Sequence, residues 1–298
     1  MTNAEAWIAR VTHLNQWRRH GERAPHKPLL LLYALAKLQQ TGNSLLEYTK
    51  AERDLQSLLD EFGPPRRTSP SYPFHHLVSD GLWTVRTKHG DGSPGDSRGV
   101  LRSSGAVGSL APEFVDALER SPGLFAAIVS AILQANFPET LHADILAALG
   151  LSLDLPDSEL EPKLARRRNP AFREKVLLAY EYRCAICGYD GQLERLAVGI
   201  EAAHIRWWQA LGPTEVSNAL ALCSLHHKLL DAGVIGVTSE YFVQVSSHFI
   251  GRSDASVALV LAFAGRPLIQ PQPGQSGPDP EHVRWHEREV FRPPARGV

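Results

Sequence analysis

The chain has 298 residues, of which 43% are hydrophobic and 21% charged. These values are typical of globular proteins, and they exclude a wholly disordered, collagen-like or coiled-coil chain. The formal net charge of −1 argues against a protein that binds nucleic acid through its overall charge. Basic residues nevertheless occur in local clusters, a pattern that favours contact with phosphates at selected places.

No apolar run approaches the ~20 residues that a helix needs to span a bilayer. The N-terminus has no basic segment followed by an apolar stretch, so no signal peptide is expected. These features predict a cytoplasmic protein without a membrane segment.

Residues 1–150 are predicted to form one mainly helical domain. Trp7, Val11 and Leu14 follow a helical period, and a second helix is predicted from Pro28 to a stop at Gly42. Residues 82–86 alternate as a strand does, whereas the Pro-rich segment 64–73 and the Gly-rich segment 89–99 predict loops. The other predicted helices of this domain cover residues 50–62, 111–120, 122–135 and 139–149.

Residues 151–168 begin as an acidic segment with two prolines and end in a cluster of basic residues. This change in composition predicts a linker between two domains. A second domain over residues 169–298 is predicted to begin with a helix that has Asn169 as its N-cap and Pro170 as its first residue. Its short strands are predicted within 196–205, 219–222, 234–238 and 241–246, with helices over Ser224–Asp231 and residues 281–291. The whole pattern predicts an α+β protein, in which a mainly helical domain with a small β element precedes a second domain of short strands.

All three cysteines lie in the second domain and form a recognisable metal-binding pattern. Cys184 and Cys187 are separated by two residues, as are Cys223 and His226. Two such pairs hold one tetrahedral zinc ion, and a closed set of four protein ligands is typical of a structural site. An odd number of cysteines also argues against a disulfide framework. The sequence therefore predicts a structural zinc knuckle.

A second pattern overlaps this one. The segments CAICG, IEAAHI, GPTEVSNALALC and SLHHKLLDAG place His204, Asn218 and His227 in order. Here the chain resembles the HNH nucleases, whose ββα-metal fold packs a hairpin on a helix around a catalytic divalent cation. The resemblance implies that His204 activates water, that His227 helps to hold the cation, and that Asn218 orients His204 or braces the loop between the strands.

The helical spacing agrees with those roles. Adjacent residues on a helix point ~100° apart, so His226 can complete the knuckle while His227 faces the hairpin. Asp231 lies four residues after His227 on the same face and is a candidate second ligand for Mg²⁺ or Mn²⁺. Many relatives carry a metal ligand directly before the catalytic histidine, where this chain has Ala203. Glu201, two residues earlier on the same strand face, is a candidate substitute.

Two segments of the first domain carry a further resemblance. RRHGERAPHKPLLLLYAL (18–35) and SYPFHHLVSDGLWTVR (71–86) resemble the sulfur-binding domain of McrA-like type IV restriction endonucleases, which cut phosphorothioated DNA. In that group an HNH domain follows the sulfur-binding domain, as it does here. The resemblance implies that double-stranded DNA carrying a phosphorothioate is the partner.

Sulfur is larger, more polarisable and less well hydrated than the phosphate oxygen it replaces, so its pocket should be apolar with cations nearby. The candidate residues of the apolar wall are Tyr72, Pro73, Phe74, His75 and His76. The candidate cationic residues are Arg23, His26 and Lys27, and the candidate residues for reading guanine are Arg98 and Arg102. A helix beginning near Pro28 would add backbone N–H groups aimed at phosphate, and arginine reads guanine through O6 and N7. His76 stands where the family often has a small residue.

Two alternatives remain open from the sequence. The mark could be methylated cytosine, because the loop 89–99 could insert into DNA beside a flipped base. The chain could also be a zinc-stabilised DNA-binding protein with an inactive nuclease fold, if Ala203 abolishes metal binding. A double-strand break needs two active sites or two visits, which is compatible with a homodimer.

Overall fold

The computed structural model describes residues 3–15, 22, 24–153 and 170–297. The chain divides into two compact units, residues 1–165 and 166–298. The fold combines helices with small sheets, so the predicted mixed class is confirmed. Most of the predicted linker, 151–168, lies outside the described residues, and the three proposed boundaries stay predictions. No helix in the described ranges combines the length and the apolar character that a membrane span requires.

Eight helices and four strands are described in the first unit. The helices are α1 (Asn3–Thr12), α2 (His26–Thr41), α3 (Tyr48–Phe62), α4 (Ser71–His76), α5 (Arg98–Ser103), α6 (Pro112–Arg120), α7 (Leu124–Asn136) and α8 (His142–Leu149). The strands are β1 (Leu46–Glu47), β2 (Trp83–Thr87), β3 (Gly90–Asp91) and β4 (Val107–Leu110), and they form one antiparallel sheet in the order β1-β4-β2-β3.

Helix α2 is the centre of this unit. It is buried from His26 to Ala36, and α3, α4, α7 and α8 contact it. Pro28 lies in its first turn, where a missing N–H costs no helical hydrogen bond. Gly42 ends the helix in the left-handed region, with φ 72°, and its N–H donates to Leu38 O. The helix prediction is confirmed, with a start two residues earlier than expected.

The two predicted loops of this unit are partly wrong. The last residues of segment 64–73 belong to α4, which begins at Ser71. In segment 89–99, Gly90–Asp91 pairs with β2 as strand β3, and Arg98 begins α5. Pairing with a neighbouring strand overrides the loop-forming composition there.

The second unit contains short strands between four helices. In chain order, these helices and strands are α9 (Pro170–Ala179), β5 (Gln192–Leu193), β6 (Leu196–Ala197), β7 (Ile200–His204), β8 (Ala219–Cys223), α10 (Ser224–Asp231), β9 (Ile235–Val237), β10 (Val243–Val245), α11 (Asp254–Leu259) and α12 (Pro280–Glu289). The strands pair as three antiparallel hairpins, β5–β6, β7–β8 and β9–β10. The predicted helix Ser224–Asp231 is confirmed at both ends. The single strand predicted over 196–205 is two strands, because Gly199 turns the chain with φ 71°.

The β7–β8 hairpin and helix α10 position the residues of interest in this unit. Ile200 pairs with Cys223, and His204 pairs with Ala219. Helix α10 follows β8 directly and contacts both strands. Helix α9 also contacts both strands, and Val176, Leu177 and Ala179 are buried on it.

Candidate functional site

The four predicted zinc ligands converge in the second unit. The turn 184–188 brings Cys184 and Cys187 together, while Cys223 ends β8 and His226 lies in the first turn of α10. The turn is held to the hairpin because the Ala185 N–H donates to Ala221 O at 2.8 Å. Gly188, with φ 75°, allows the chain to reverse behind Cys187.

The spacing of these atoms suits a tetrahedral ion. The ligand atoms all lie within 4.8 Å of one another. The sulfurs of Cys187 and Cys223 are 4.0 Å apart, and Nδ1 of His226 lies 3.5 Å from Cys184 Sγ and 3.2 Å from Cys223 Sγ. Around a tetrahedral zinc ion with Zn–S bonds of ~2.3 Å, neighbouring ligand atoms are roughly 3.6–3.8 Å apart. The distances observed here lie on both sides of this range.

The surroundings of the knuckle also fit a cation. Hydrogen bonds from the other two thiols lower the pKa of Cys184, so the cluster favours a thiolate. Nε2 of His226 lies 2.8 Å from Leu259 O, so a proton on that nitrogen leaves Nδ1 free to bind metal. Within the described ranges, this is the one group of three or more ligating side chains that lie so close together.

His227 faces away from the knuckle and lies between two carboxylates. Its Nε2 is 3.3 Å from Oδ2 of Asp231, the residue one helical turn later. Its Nδ1 is 2.6 Å from Oε2 of Glu201, on strand β7. Asp231 is buried, whereas Glu201 is partly exposed. An imidazole and a carboxylate on one helix face provide two protein ligands, and such an open site suits a catalytic cation.

Glu201 is held as a carboxylate. The hydrogen bond with His227, reinforced by one from the Ser224 hydroxyl at 2.7 Å, lowers the pKa of Glu201 to about 2. Because one Glu201 oxygen contacts Nδ1 and not Nε2, the geometry suits orientation of His227 better than replacement of the ligand missing at Ala203. Ala203 itself is fully buried.

His204 ends strand β7 against the first helix of this unit. Its ring stacks on Phe172 of α9, with centroids 4.7 Å apart and planes inclined by 26°. The side chain is half-buried, and its Nε2 atom is itself buried. Asn218 immediately precedes Ala219, the ladder partner of His204.

Asn218 is fully buried and braces the loop between the strands. Its Oδ1 accepts from the Arg206 N–H at 2.8 Å, and its Nδ2 donates to Arg206 O at 2.9 Å and Pro213 O at 2.8 Å. Gly212 lies inside this clamp, where a Cβ atom would be 1.9 Å from Arg206 O. Of the two roles predicted for Asn218, these contacts support bracing of the loop.

In the first unit, the candidate sulfur pocket contains a row of rings. The Tyr72 ring lies 4.3 Å from that of His76 and 6.1 Å from that of His26. Tyr72 is 37% exposed, so part of this residue lies at the surface. Nε2 of His26 lies 3.0 Å from the Thr68 hydroxyl, which fixes that ring beside Tyr72. His75 neighbours His76, and its Nδ1 lies 2.7 Å from Ser93 Oγ.

Four of the predicted pocket residues are buried in the unit: His26, Lys27, Pro73 and Phe74. The Lys27 ammonium is buried and donates to Asp80 Oδ2 at 2.6 Å and Asn15 O at 2.7 Å, so it supports the fold. Phe74 is fully buried between Tyr48 and Trp83, and Pro73 is buried beside it. Arg23 lies outside the described residues. The exposed part of the predicted wall is therefore Tyr72, with His75 and His76 partly exposed beside it.

The two predicted arginines project from α5. Arg98 Nε donates to Ser69 Oγ at 3.1 Å, and its side chain is 45% exposed. Arg102 is 56% exposed and pairs with Glu52 of α3. Glu52, Thr68 and Ser69 were not among the predicted site residues. A signal for Glu52 was present, since it is a charged residue on the apolar face of the predicted helix 50–62.

Two family models match the chain. The ScoMcrA-like DNA sulfur-binding domain matches residues 4–154, about half of the chain, and the HNH endonuclease model matches residues 184–238. These matches confirm both resemblances that the motifs indicated. No curated protein matches the chain.

Solved structures are also similar to the chain. The sulfur-binding domain of SprMcrA complexed with phosphorothioated DNA is 27% identical over 50% of this chain and 95% of that chain, with a TM-score of 0.43. The corresponding ScoMcrA domain is 22% identical over 48% and 94%, with a TM-score of 0.40. The type IV phosphorothioation-dependent restriction endonuclease ScoMcrA is 21% identical over 48% and 27%, with a TM-score of 0.36.

Proposed function

The chain belongs to the family of the ScoMcrA-like DNA sulfur-binding domain, and from this premise we propose that it is a modification-dependent DNA endonuclease. Its sulfur-binding domain selects double-stranded DNA that carries a phosphorothioate, and its HNH domain hydrolyses phosphodiester bonds. The observation that carries the proposal is the presence of both family matches, in that order, in one chain. We assign recognition to residues 1–150, the linker to 151–168 and hydrolysis to 169–298.

On the recognition side, the exposed Tyr72 ring between His26 and His76 offers a polarisable, weakly hydrated surface for sulfur. Arg98 and Arg102 on α5 supply positive charge for the phosphate oxygens or for guanine O6 and N7. Phosphate contacts fix the position of the duplex, whereas the sulfur contact provides the selection.

On the catalytic side, His204 takes a proton from the attacking water, and its stack on Phe172 fixes the plane of the imidazole. Asn218 holds the following loop in place through three hydrogen bonds. His227 and Asp231 would hold a divalent cation such as Mg²⁺ or Mn²⁺, which when bound neutralises charge on the phosphate. Glu201 orients His227. The expected products carry a 5′ phosphate and a 3′ hydroxyl.

The knuckle Cys184, Cys187, Cys223 and His226 would hold zinc in a structural role. It fixes the turn before the hairpin to the first turn of α10, and His227 is the next residue of that helix. We further propose a cytoplasmic location and, because two strands have to be cut, action as a homodimer.

The test compares three otherwise identical duplexes, with one phosphorothioate, with methylated cytosine, or unmodified. The purified full chain is incubated with each in Mg²⁺ or Mn²⁺, and binding and cutting are measured separately. Preferential binding and cutting of the phosphorothioate duplex supports the proposal. Cutting of the methylated duplex alone would indicate that the protein recognises methylated cytosine and not a phosphorothioate. Binding without cutting would indicate an inactive nuclease fold.

A further inference from the structure

Glu52 contacts both exposed arginines of α5 at once. Its Oε1 lies 3.2 Å from Nε of Arg98, and its Oε2 lies 2.7 Å from Nε of Arg102. The carboxylate side chain is 11% exposed, whereas the two arginine side chains are 45% and 56% exposed. A nearly buried anion on α3 therefore anchors two surface cations that are one helical turn apart.

The contact leaves the recognition edge of Arg102 open. Glu52 uses Nε, and neither Nη atom of Arg102 has a hydrogen-bond partner among the residues that the structure describes. Bidentate recognition of guanine or phosphate uses two parallel N–H groups of the guanidinium. The ion pair with Glu52 thus fixes the orientation of the Arg102 guanidinium and leaves its two Nη atoms available to donate to DNA.

The same carboxylate is linked to the candidate sulfur pocket through Arg98. The contact of Arg98 with Glu52 is an ion pair without a hydrogen bond, since the Nε–H of Arg98 donates to Ser69 Oγ and Glu52 Oε1 accepts no hydrogen bond from the described residues. Ser69 Oγ lies 2.6 Å from the hydroxyl oxygen of Ser71, the residue before Tyr72. Nη2 of Arg98 donates to Gln56 Oε1 at 2.5 Å, and Gln56 Nε2 donates to Thr68 O at 3.2 Å. Thr68 in turn contacts His26. Glu52 is therefore linked through Arg98 to Ser71, the residue before Tyr72, and to His26, whose ring lies 6.1 Å from that of Tyr72.

We propose that Glu52 is a positioning residue for DNA recognition, which holds Arg98 and Arg102 in one preformed arrangement beside Tyr72. Without it, two like charges at positions i and i+4 would repel each other, and both long side chains would sample many rotamers. Ordering them would then reduce the affinity for DNA. The inference rests on the proposed function, since it assumes that this face binds phosphorothioated DNA.

The test is a double-mutant cycle on the full chain. Binding of a duplex with one phosphorothioate, and of the same duplex unmodified, is measured by fluorescence anisotropy without added divalent cation. Glu52→Gln should weaken binding of the phosphorothioate duplex about tenfold, comparable to the loss of one charge-assisted hydrogen bond. In the Arg98→Ala/Arg102→Ala background, Glu52→Gln should have no further effect, because the groups that it positions are gone.

Two further variants keep the test independent of folding. Glu52→Asp retains the charge but shortens the side chain, and it should give an intermediate loss. Glu47→Gln is the matched control, since that exposed residue of β1 pairs with Lys50 at the surface. It should bind like wild type. Thermal melting of each variant shows whether the first unit is folded.

Unchanged or tighter binding by folded Glu52→Gln would overturn the inference, because the carboxylate would then be neutral or inhibitory. An equal loss in the arginine-free background would also overturn it, since Glu52 would then act on the fold in general. If wild type itself fails to prefer the phosphorothioate duplex, the proposed function is wrong, and this outcome is distinct from the other two.

Discussion

Oε2 of Glu201 lies 2.6 Å from Nδ1 of His227, while Oδ2 of Asp231 lies 3.3 Å from the other ring nitrogen. A strand carboxylate and a helix carboxylate thus fix one imidazole between them. A carboxylate behind a ligating histidine orients the ring and raises the basicity of the nitrogen that faces the metal.

Glu201→Gln should therefore reduce the rate of DNA cutting about 10–100-fold, the usual cost of losing such a partner. Zinc content and binding of phosphorothioated DNA should stay at wild-type values, because neither the knuckle nor the first unit contains Glu201. Glu194→Gln, an exposed carboxylate in the same unit, is the control. Wild-type cutting by Glu201→Gln would show that the contact with His227 has no part in hydrolysis.

Cys187→Ser should remove the structural zinc and unfold the second unit. Zinc sites of this type contribute on the order of 10–16 kcal/mol to folding, comparable to the stability of a whole domain. Metal analysis should give one zinc per wild-type chain and less than one in the variant, and cutting should be lost. Binding of phosphorothioated DNA should persist, because the first unit has its own core around α2. A zinc-free variant that cuts normally would contradict a structural role for the knuckle.

Asn218→Ala should destabilise the second unit by at least about 1–3 kcal/mol, because a fully buried side chain loses three hydrogen bonds to the backbone of one loop. Denaturant unfolding followed by far-UV circular dichroism gives the free energy. Ser217→Ala, the preceding position, should leave the stability near the wild-type value. Equal stability of Asn218→Ala and wild type would indicate that the loop does not depend on this clamp.

The pKa of His75 is lowered from 6.5, first by burial and then by the positive charge of His76. The folded state therefore disfavours protonated His75, and its contribution to stability is present above pH 6.5 and decreases as the pH falls below that value. NMR titration of the imidazole should give a pKa below 6.5 in wild type. In His76→Gln the pKa should rise but stay below 6.5, because burial is the larger cause. A wild-type pKa at or above 6.5 would be inconsistent with this burial.

Short motifs identified the second unit well because its chemistry depends on fixed spacings. Two pairs with a two-residue gap predicted the knuckle, and the positions of His227 and Asp231 four residues apart predicted their contact on one helix face. Contacts between distant segments were not accessible in the same way. Glu201 and His227 are 26 residues apart, and their contact depends on how α10 crosses the hairpin.

In the sulfur-binding domain, contacts between distant segments were even harder to predict from the sequence. The segment SYPFHH predicted an aromatic wall, but the register of the short helix α4 decides that Tyr72 faces outward while Phe74 enters the core. Lys27 looked like a phosphate ligand because its partner Asp80 is 53 residues away. Glu52 and Arg102 are likewise 50 residues apart, so no local pattern links them.

The role of His204 in hydrolysis is tested most directly by single-turnover cutting of a phosphorothioate duplex by wild type and His204→Ala, with binding measured on the same samples. We expect wild type to cut the duplex and to leave a 5′ phosphate and a 3′ hydroxyl. We expect His204→Ala to bind the duplex with wild-type affinity but not to cut it. Undiminished cutting by His204→Ala would contradict the assignment of His204 as the group that activates water, and with it the proposed mechanism of hydrolysis.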